Sequence, residues 1–313
     1  MLLDNAYIVV SQVLILFILI GVGFIAGKVR MINDHGIRQL TNVLLVIITP
    51  SIIIQSFQTP FDVSLIRGML IALVSAIFSH LAGAVIGKMI YRSSPDDRSR
   101  VMQFSVVFSN CGFMCIPLLD AILGSKGVLY GSVYIVVFNA AQWTYGVRLM
   151  TGGKEAMNFK RALINPGNVS IMIAFPLFLL QIQLPEIPTI VIGHLAAINA
   201  PLAMMLIGAQ LSMITLGSIF TDRDVIGSSL LRLFAVPVIV ILVLAAVPVE
   251  MERILFLACV IPAAAPTAAG VALFATRHDQ NTMLATRNIA FSTLLSVLSI
   301  PLLILLSDFL MGY

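Results

Sequence analysis

Charged side chains are scarce in this chain of 313 residues. Asp, Glu, Lys and Arg make up 10% of the sequence, whereas soluble domains carry about 25%. The hydrophobic fraction is 59%, and the mean hydropathy is +1.05. A surface that faces water on all sides is therefore excluded.

Cysteine is also rare, and its placement excludes two further classes of site. Cys111, Cys115 and Cys259 all lie within apolar runs, so they provide no disulfide framework. The first two are separated by three residues and have no nearby His or further Cys to complete a metal site. We expect neither a metal nor another cofactor.

Enzyme signatures are missing as well. The sequence has no Gly-x-Ser-x-Gly elbow, no His-Glu-x-x-His pair and no Gly-rich phosphate loop with Lys. It also has no pair of intramembrane aspartates that could form a protease dyad. We therefore expect no enzyme, and any transport must be facilitated or driven by a gradient, because nothing in the sequence binds ATP.

Long apolar runs are what the sequence has instead. They are continuous and exceed the ~18 residues that cross a hydrocarbon core, and they lack the alternation of transmembrane β-barrels. The first run, 7–27, is too long for the apolar region of a signal peptide and has no basic segment before it. We predict an all-α integral membrane protein with ten transmembrane helices, at 7–27, 38–57, 66–90, 101–123, 128–150, 166–183, 190–215, 225–248, 254–276 and 286–311.

The basic residues predict the orientation of these spans. Loops after odd-numbered spans, counted with their flanks, hold 15 of the 18 Lys and Arg residues, among them Arg98, Arg232 and Arg277. Cytoplasmic loops carry the excess of basic residues. We therefore predict a multi-pass plasma-membrane protein with both termini non-cytoplasmic. The net charge of +4 is then a topology signal, and no nucleic-acid partner is expected.

Prolines recur at corresponding places in the two halves of the chain. Pro50 and Pro201 are 151 residues apart, and Pro117 and Pro266 are 149 apart. Two asparagines in spans 5 and 10 are again 149 apart, although one is mid-span and the other near the start of its span. We predict two five-helix repeats, the second inverted, as in many secondary transporters. The predicted units are a first repeat at 1–150, a cytoplasmic linker at 151–164 and a second repeat at 165–313.

Spans 4 and 9 carry residues that interrupt helices. Span 4 contains Asn110-Cys-Gly-Phe-Met-Cys-Ile-Pro117, in which proline removes a backbone donor and glycine loosens the turn. Span 9 contains Pro262 and Pro266, followed by Thr267 and small residues. One such proline is ordinary in helix packing, but paired breaks in matching spans favour a binding site. If the breaks face each other, the half-helix N-termini converge on one point and suit an anion.

The span 4 motif resembles the fourth-helix motif of the auxin efflux carrier family, in which Asn is followed seven residues later by Pro-Leu. Asn110 and Pro117-Leu118 have this spacing, and the segment with Pro262 and Pro266 resembles the family's ninth-helix counterpart. The span count, the topology and the duplicated halves extend the resemblance over essentially the whole chain. That family includes the plant auxin exporters and bacterial malate and malonate permeases.

The resemblance implies that helices 4 and 9 are broken and cross at the substrate site, where Asn110 contacts a carboxylate. It implies a secondary-active or facilitated carrier of small organic anions such as malate, malonate or auxin-like acids, working by alternating access. About a dozen residues join spans 5 and 6, so a compact, bacterial-type member is expected rather than a plant member with a long loop. Span 9 has no polar residue between its prolines, which leaves the exact substrate open.

The candidate site residues come from these two spans and their neighbours. Asn139 and Gln142 line the pathway in one interpretation and bond to adjacent helices in another. His80, mid-span, suits a proton relay or a neutral helix contact, and the coupling ion, H⁺ or Na⁺, stays unassigned. The predicted substrate-binding residues are Asn110, Cys111, Gly112, Thr267, Asn139 and Gln142, and the predicted helix-break residues are Pro117, Pro262 and Pro266.

Three alternatives stay open. A drug/metabolite-type exporter also has ten spans in two inverted halves but needs no breaks in spans 4 and 9. A sodium-coupled carrier of the bile-acid type should have more acidic and hydroxyl ligands around its breaks. A membrane sensor is a different class and usually needs an output domain. The expected partners are a small organic anion and the lipid bilayer, and a homodimer is left open.

Overall fold

The computed structural model describes residues 2–92, 96–154, 163–213, 222–247 and 250–312, so most of the predicted linker lies outside it. These residues confirm the all-α class, since the one strand-like feature among them is a single antiparallel bridge. The α-helices are α1 (Leu2–Lys28), α2 (Asp34–Val43), α3 (Thr49–Ser56), α4 (Val63–Tyr91), α5 (Asp96–Val107), α6 (Ile116–Ala141), α7 (Val147–Met150), α8 (Pro166–Leu179), α9 (Glu186–Ala197), α10 (Asn199–Ser212), α11 (Arg223–Leu230), α12 (Val236–Ala246), α13 (Arg253–Ala264), α14 (Gly270–Arg277) and α15 (Thr282–Met311). Among the described residues, four π-helical turns interleave with them, at Leu44–Ile48, Cys111–Cys115, Gln142–Gly146 and Leu231–Ala235.

Six helical segments among the described residues are long and apolar enough to cross a membrane. They are Asp34–Ser56, Val63–Tyr91, Cys111–Met150, Glu186–Ser212, Arg223–Ala246 and Thr282–Met311. Three shorter apolar stretches accompany them, at Leu14–Lys28 within α1, Pro166–Leu179 and Arg253–Ala264. A polytopic helical membrane protein is therefore confirmed, whereas the count of ten spans stays a prediction.

The longest segment, Cys111–Met150, folds back on itself. Its 40 residues would make about 60 Å of straight helix, roughly twice a hydrocarbon core. Gly124 interrupts α6 with φ 64° and ψ −163°, a conformation that a residue without a Cβ adopts easily. Beyond it the chain returns, since a Cβ built on Gly131 would lie 2.2 Å from Cδ1 of Leu119. The segment is a hairpin of two helices.

The helices pack in two groups. The first group consists of α1, α2, α3, α8, α9 and α10, and the second of α4 to α7 and α11 to α15. The tightest approach within the first group is between α1 and α10. A Cβ on Gly23 would lie 2.0 Å from the Met205 carbonyl oxygen, and one on Gly208 would lie 1.9 Å from that of Ile20. Small residues let these backbones touch, as is common between membrane helices.

Ion pairs join helices of the second group at both of its ends. Arg98 donates to the carboxylates of Asp222 and Asp224, at 2.7 Å to each. Burial raises the pKa of Asp222, but its hydrogen bonds from Arg98 and the backbone outweigh this, and the pKa lies below its ordinary value. At the opposite end, Arg253 forms a bidentate pair with Asp308, at 2.8 and 2.9 Å. The half-helices between these pairs are therefore fixed at their outer ends.

Arg232 does not belong to the basic loops, where its charge alone had placed it. It lies in the π-helical turn Leu231–Ala235 between α11 and α12, and its side chain is fully buried. Arg232 was counted with the loop residues although it lies within the apolar run 225–248. Without it, the basic residues still divide 14 to 3 between the two sets of loops.

Candidate substrate site

Two interrupted helices meet inside the second group. Three non-helical residues separate α5 from the π-helical turn that follows it, and five separate α13 from α14. The amide of Asn110 donates to the carbonyl of Pro266 at 2.7 Å, and the amide of Ala268 donates to that of Phe108 at 2.9 Å. Each gap therefore satisfies backbone groups that the other leaves free, which membrane depth requires.

The predicted helix-break prolines do not all lie at these gaps. Pro266 does, and Ala265 before it is extended with φ −66° and ψ 150°, as a residue preceding proline prefers. Pro262 lies inside α13, and Pro117 lies in the first turn of α6, directly after the π-helical turn Cys111–Cys115. The gap after α5 contains no proline and depends on its pairing with the gap after α13.

A cavity of about 290 Å³ lies beside this crossover, between the two helix groups. Five of the six predicted substrate-binding residues line it. From the second group these are Asn110, Cys111, Gly112, Asn139 and Gln142, joined by Ser109, while the first group contributes Thr41, Thr49, Asn165 and Gln210 among others. The sequence interpretation therefore brought together residues that the fold places in one cavity.

Thr267 is the predicted site residue that does not line the cavity. Its hydroxyl donates to the side-chain oxygen of Asn288 at 2.7 Å, and its amide donates to the hydroxyl of Ser292 at 3.1 Å. It is fully buried, as is Asn288. Thr267 therefore anchors the crossover to α15, because its hydrogen-bonding groups are already occupied. Asn288 shares this anchoring role. Asn139, which lies 149 residues earlier in the first half of the chain, lines the cavity instead.

Several polar groups in the cavity wall are unpaired. The carboxamides of Asn110 and Gln142 form no hydrogen bond with any described residue, and both side chains line the cavity. The buried hydroxyls of Ser109 and Thr41 also have no partner among the described residues. Buried polar groups in proteins are nearly always hydrogen-bonded. Four unpaired groups in one wall are therefore suited to a polar ligand or to water.

Asn139 joins the two helix groups. Its amide nitrogen donates to the side-chain oxygens of Asn165 and Asn168, at 3.0 Å each. Asn165 also caps α8 by accepting from the Asn168 amide at 3.0 Å. Both interpretations of Asn139 are thus compatible with its position, since it lines the cavity and also links neighbouring helices.

Two helix N-termini lie in the cavity wall. The helical turn that begins at Cys111 and the helix that begins at Gly270 both start in its wall. The first N–H groups of a helix lack partners within it and carry partial positive charge. Gly112 leaves this backbone open, because nothing lies within 4 Å of a Cβ built there. The wall contains no Lys, Arg or His among the described residues, so neutral donors would hold an anion.

His80 lies behind the cavity rather than in it. Its Nδ1 is 2.7 Å from the Ala76 carbonyl oxygen, and its Nε2 has no partner among the described residues. The ring is 5.0 Å from Tyr134 and 6.2 Å from Phe138, which lines the cavity. A role in proton relay stays a prediction, with one aromatic layer between this imidazole and the cavity.

Sequence reasoning missed Thr41 and Asn165, which the first helix group contributes to the wall. It left Gln210 open between substrate binding and helix packing, and it allowed the adjacent pair Ser109 and Asn110 to bind a ligand or freed backbone groups. Thr41 and Asn165 have one sequence signal, which is that each is a polar residue within or beside an apolar span. That signal does not select them, because many such residues only pack against neighbouring helices.

Broken helices that meet beside a cavity between two helix groups define a membrane transporter of the helical class. The comparisons with known proteins identify the family. Residues 8–304 match the family described as Membrane transport protein, so the chain belongs to it, and the resemblance to auxin efflux carriers is confirmed. A protein of Methanothermobacter thermautotrophicus described as an uncharacterized transporter is 24% identical over 93% of this chain and 96% of its own length.

Proposed function

We propose that this chain is a secondary-active or facilitated carrier of small organic anions, with carboxylates such as malate, malonate or auxin-like acids as substrates. The observation that carries the proposal is the cavity at the crossover. Two half-helix N-termini begin in its wall beside the unpaired carboxamides of Asn110 and Gln142. Oriented N–H groups of this kind stabilise a carboxylate at membrane depth, where water cannot.

The proposed architecture has ten spans in two inverted repeats, with the fourth and ninth spans broken. The paired gaps support it, since each lies in the fourth span of its half. A hydrogen bond of 3.4 Å between Thr49 and Asn199 also supports it, because it joins residues 150 apart that lie one residue before Pro50 and two residues before Pro201. The repeats would cover 1–150 and 165–313.

The proposed mechanism is alternating access between the two helix groups. The cavity is bounded by both groups, and several wall residues lie near helix ends on the side of the linker: Thr41, Asn165 and Gln210. That side is predicted to be cytoplasmic in the plasma membrane, so this state would be open inwards. Rocking of one group against the other would expose the crossover to the opposite side.

The nearest alternatives differ in ways that the structure makes testable. Paired gaps are present, although a drug/metabolite-type exporter needs none. A sodium-coupled bile-acid-type carrier shares such gaps and stays the second candidate, distinguished by dependence on Na⁺. Belonging to a transporter family argues against a sensor or an enzyme. A homodimer stays a prediction.

The decisive experiment is uptake by purified protein in liposomes, with labelled malate and labelled indole-3-acetate offered separately. We expect uptake of at least one anion, and a loss of roughly 10- to 100-fold in Asn110→Ala, because a hydrogen bond to a charged group contributes about 1.5–3 kcal/mol. Asn42→Ala is the matched control, since Asn42 is an exposed asparagine on α2 outside the cavity wall.

The outcomes separate the site from the function. If Asn110→Ala takes up the anion normally, the protein is still a carrier, but Asn110 does not contact the substrate. Uptake of neither anion by the unmodified protein contradicts the proposed substrate class. A loss of equal size in Asn42→Ala means that the assay reports protein quality rather than substrate binding.

A further inference from the structure

The guanidinium of Arg232 lies behind the crossover, in a place that the transport site does not use. Its Nη1 donates to the carbonyl oxygens of Val106 and Val107, at 3.0 and 3.1 Å. Its Nη2 donates to the carbonyl oxygen of Ala263. The side chain is fully buried and is not part of the cavity wall.

All three acceptors are carbonyls at helix C-termini. Val106 and Val107 are the last residues of α5, and Ala263 is the next-to-last residue of α13. The last four carbonyls of a helix have no partner within it, and they carry about half a negative charge. Two such ends sum to about one negative charge, which one guanidinium balances.

The crossover therefore separates charge across its two faces. The half-helices that follow the gaps begin in the cavity wall, whereas those that end before the gaps present carbonyls to Arg232. Among the residues that the structure describes, no carboxylate pairs with Arg232. The counter-charge of this buried cation is thus supplied by helix ends rather than by an acidic side chain.

A metal cation could satisfy the same carbonyls. Hard cations such as Na⁺ or Ca²⁺ take oxygen ligands, including backbone carbonyls, and unwound helix ends coordinate coupling ions in many secondary transporters. Arg232 instead reaches these carbonyls from the π-helical turn Leu231–Ala235 with a covalently tethered charge. A tethered cation is present in every conformation and does not have to be bound or released.

We propose that Arg232 is a built-in cation that holds the two broken helices together in place of a bound metal ion. On this basis the carrier needs no Na⁺ at its crossover. The expected transport without Na⁺ rests on the proposed function, but the stabilising role of Arg232 can be measured without any substrate. Arg232 is a positioning residue, because it acts on the helix ends and does not reach the cavity.

The first test measures thermal melting of the purified protein in detergent. Replacing NaCl by choline chloride should not change the melting temperature of the unmodified protein. Arg232→Ala should melt at a lower temperature, and millimolar guanidinium should raise that temperature more than equal concentrations of urea or choline. Arg277→Ala is the matched control, since Arg277 also lies at a helix C-terminus but is exposed, and it should respond to none of these additions.

The second test separates charge from hydrogen bonding and remains informative if Arg232→Ala fails to fold. Arg232→Lys keeps the cation with a different geometry, whereas Arg232→Gln keeps an amide donor without the charge. We expect the lysine variant to retain the higher melting temperature and the higher uptake. Uptake by Arg232→Gln should fall roughly 10- to 100-fold, the effect of losing a hydrogen bond from a charged group.

Three results would overturn the inference. The first is that the melting temperature or the uptake of the unmodified protein depends on Na⁺. The second is that Arg232→Gln is as stable as Arg232→Lys. The third is that guanidinium does not stabilise Arg232→Ala more than urea or choline does. Failure of the proposed function looks different. In that case the unmodified protein takes up neither anion, while the melting experiments still decide the role of Arg232.

Discussion

Asn110 and Gln142 place two neutral carboxamides in a cavity wall that contains no charged side chain among the described residues. A neutral amide that donates to a carboxylate forms a charge-assisted hydrogen bond, which contributes about 1.5–3 kcal/mol. A cation in the wall would add the attraction of a full opposite charge to that hydrogen bond. A wall of neutral donors therefore suits a carrier, which must release its substrate as readily as it binds it.

Gly112 provides a test of the cavity at the residue scale. Nothing lies within 4 Å of a Cβ built on Gly112, and its φ is not positive, so a side chain there projects into open space without backbone strain. We expect Gly112→Leu to occupy the cavity and abolish uptake, with stability changed by less than ~1 kcal/mol, as for substitutions that disturb no packing. Uptake assays and thermal melting check the two parts.

Gly112→Ala is the graded control for this substitution. Its smaller side chain should leave partial uptake, and its melting temperature should match that of the unmodified protein. Full activity in Gly112→Leu would contradict the assignment of this cavity as the substrate site.

At the scale of whole helices, glycine decides how closely the first group packs. A Cβ on Gly208 of α10 would lie 1.9 Å from the carbonyl oxygen of Ile20 and 2.6 Å from the amide nitrogen of Phe24, and both are backbone atoms of α1. Neither backbone can yield locally, so a methyl group there must separate the two helices. The packing of these helices is therefore specified by the absence of a side chain.

We expect Gly208→Ala to destabilise the protein by about 1–3 kcal/mol, the usual cost of overpacking. Gly21→Ala is the matched control on α1, because nothing lies within 4 Å of a Cβ built there. That change should leave the melting temperature equal or higher, since alanine is the better helix former by about 1 kcal/mol. Equal melting temperatures for the two variants would mean that α1 and α10 are not in this close contact.

At the scale of the whole molecule, the cavity lies between two groups of helices, and its direction of opening depends on the topology. The division of basic residues, 14 to 3 once Arg232 is set aside, predicts that the linker side is cytoplasmic. The ion pair of Arg98 with Asp222 and Asp224 lies on that side, and the pair of Arg253 with Asp308 lies on the opposite one.

Reporter fusions test this topology directly in bacterial cells. Alkaline phosphatase is active only outside the cytoplasm, so we expect activity for fusions after Gln181 and at the C-terminus. A fusion after Lys154 should be inactive, and a cytoplasmic fluorescent reporter at the same three places should give the reverse pattern. Active phosphatase after Lys154 would invert the topology, and the described cavity would then open outwards.

Much of the architecture could be predicted from local sequence. A hydrophobic run longer than a bilayer needs is helical in lipid, because every backbone group must be satisfied within the segment. The gap after α13 could also be predicted, since Pro266 lacks an N–H and drives Ala265 to an extended conformation. Residues near this gap and near the span 4 motif were therefore identified as candidates for the site.

The first helix group could not be assigned to the site from sequence. Thr41, Asn165 and Gln210 reach the cavity because their helices pack against the second group. Nothing in their local sequence distinguishes them from polar residues that serve only helix packing. Local sequence also could not show that Thr267, a predicted site residue, donates its hydroxyl to Asn288 instead of lining the cavity.

The sequence by itself determined the membrane class, the apolar spans and the interruption of spans 4 and 9, because these depend on residues close together in the chain. Only the tertiary structure decided that the gap in span 4 lies before Cys111 rather than at Pro117, since its freed amide and carbonyl groups are satisfied by residues more than 150 positions away. It also decided the place of Arg232, whose charge is stable in the interior only because two helix ends converge on it.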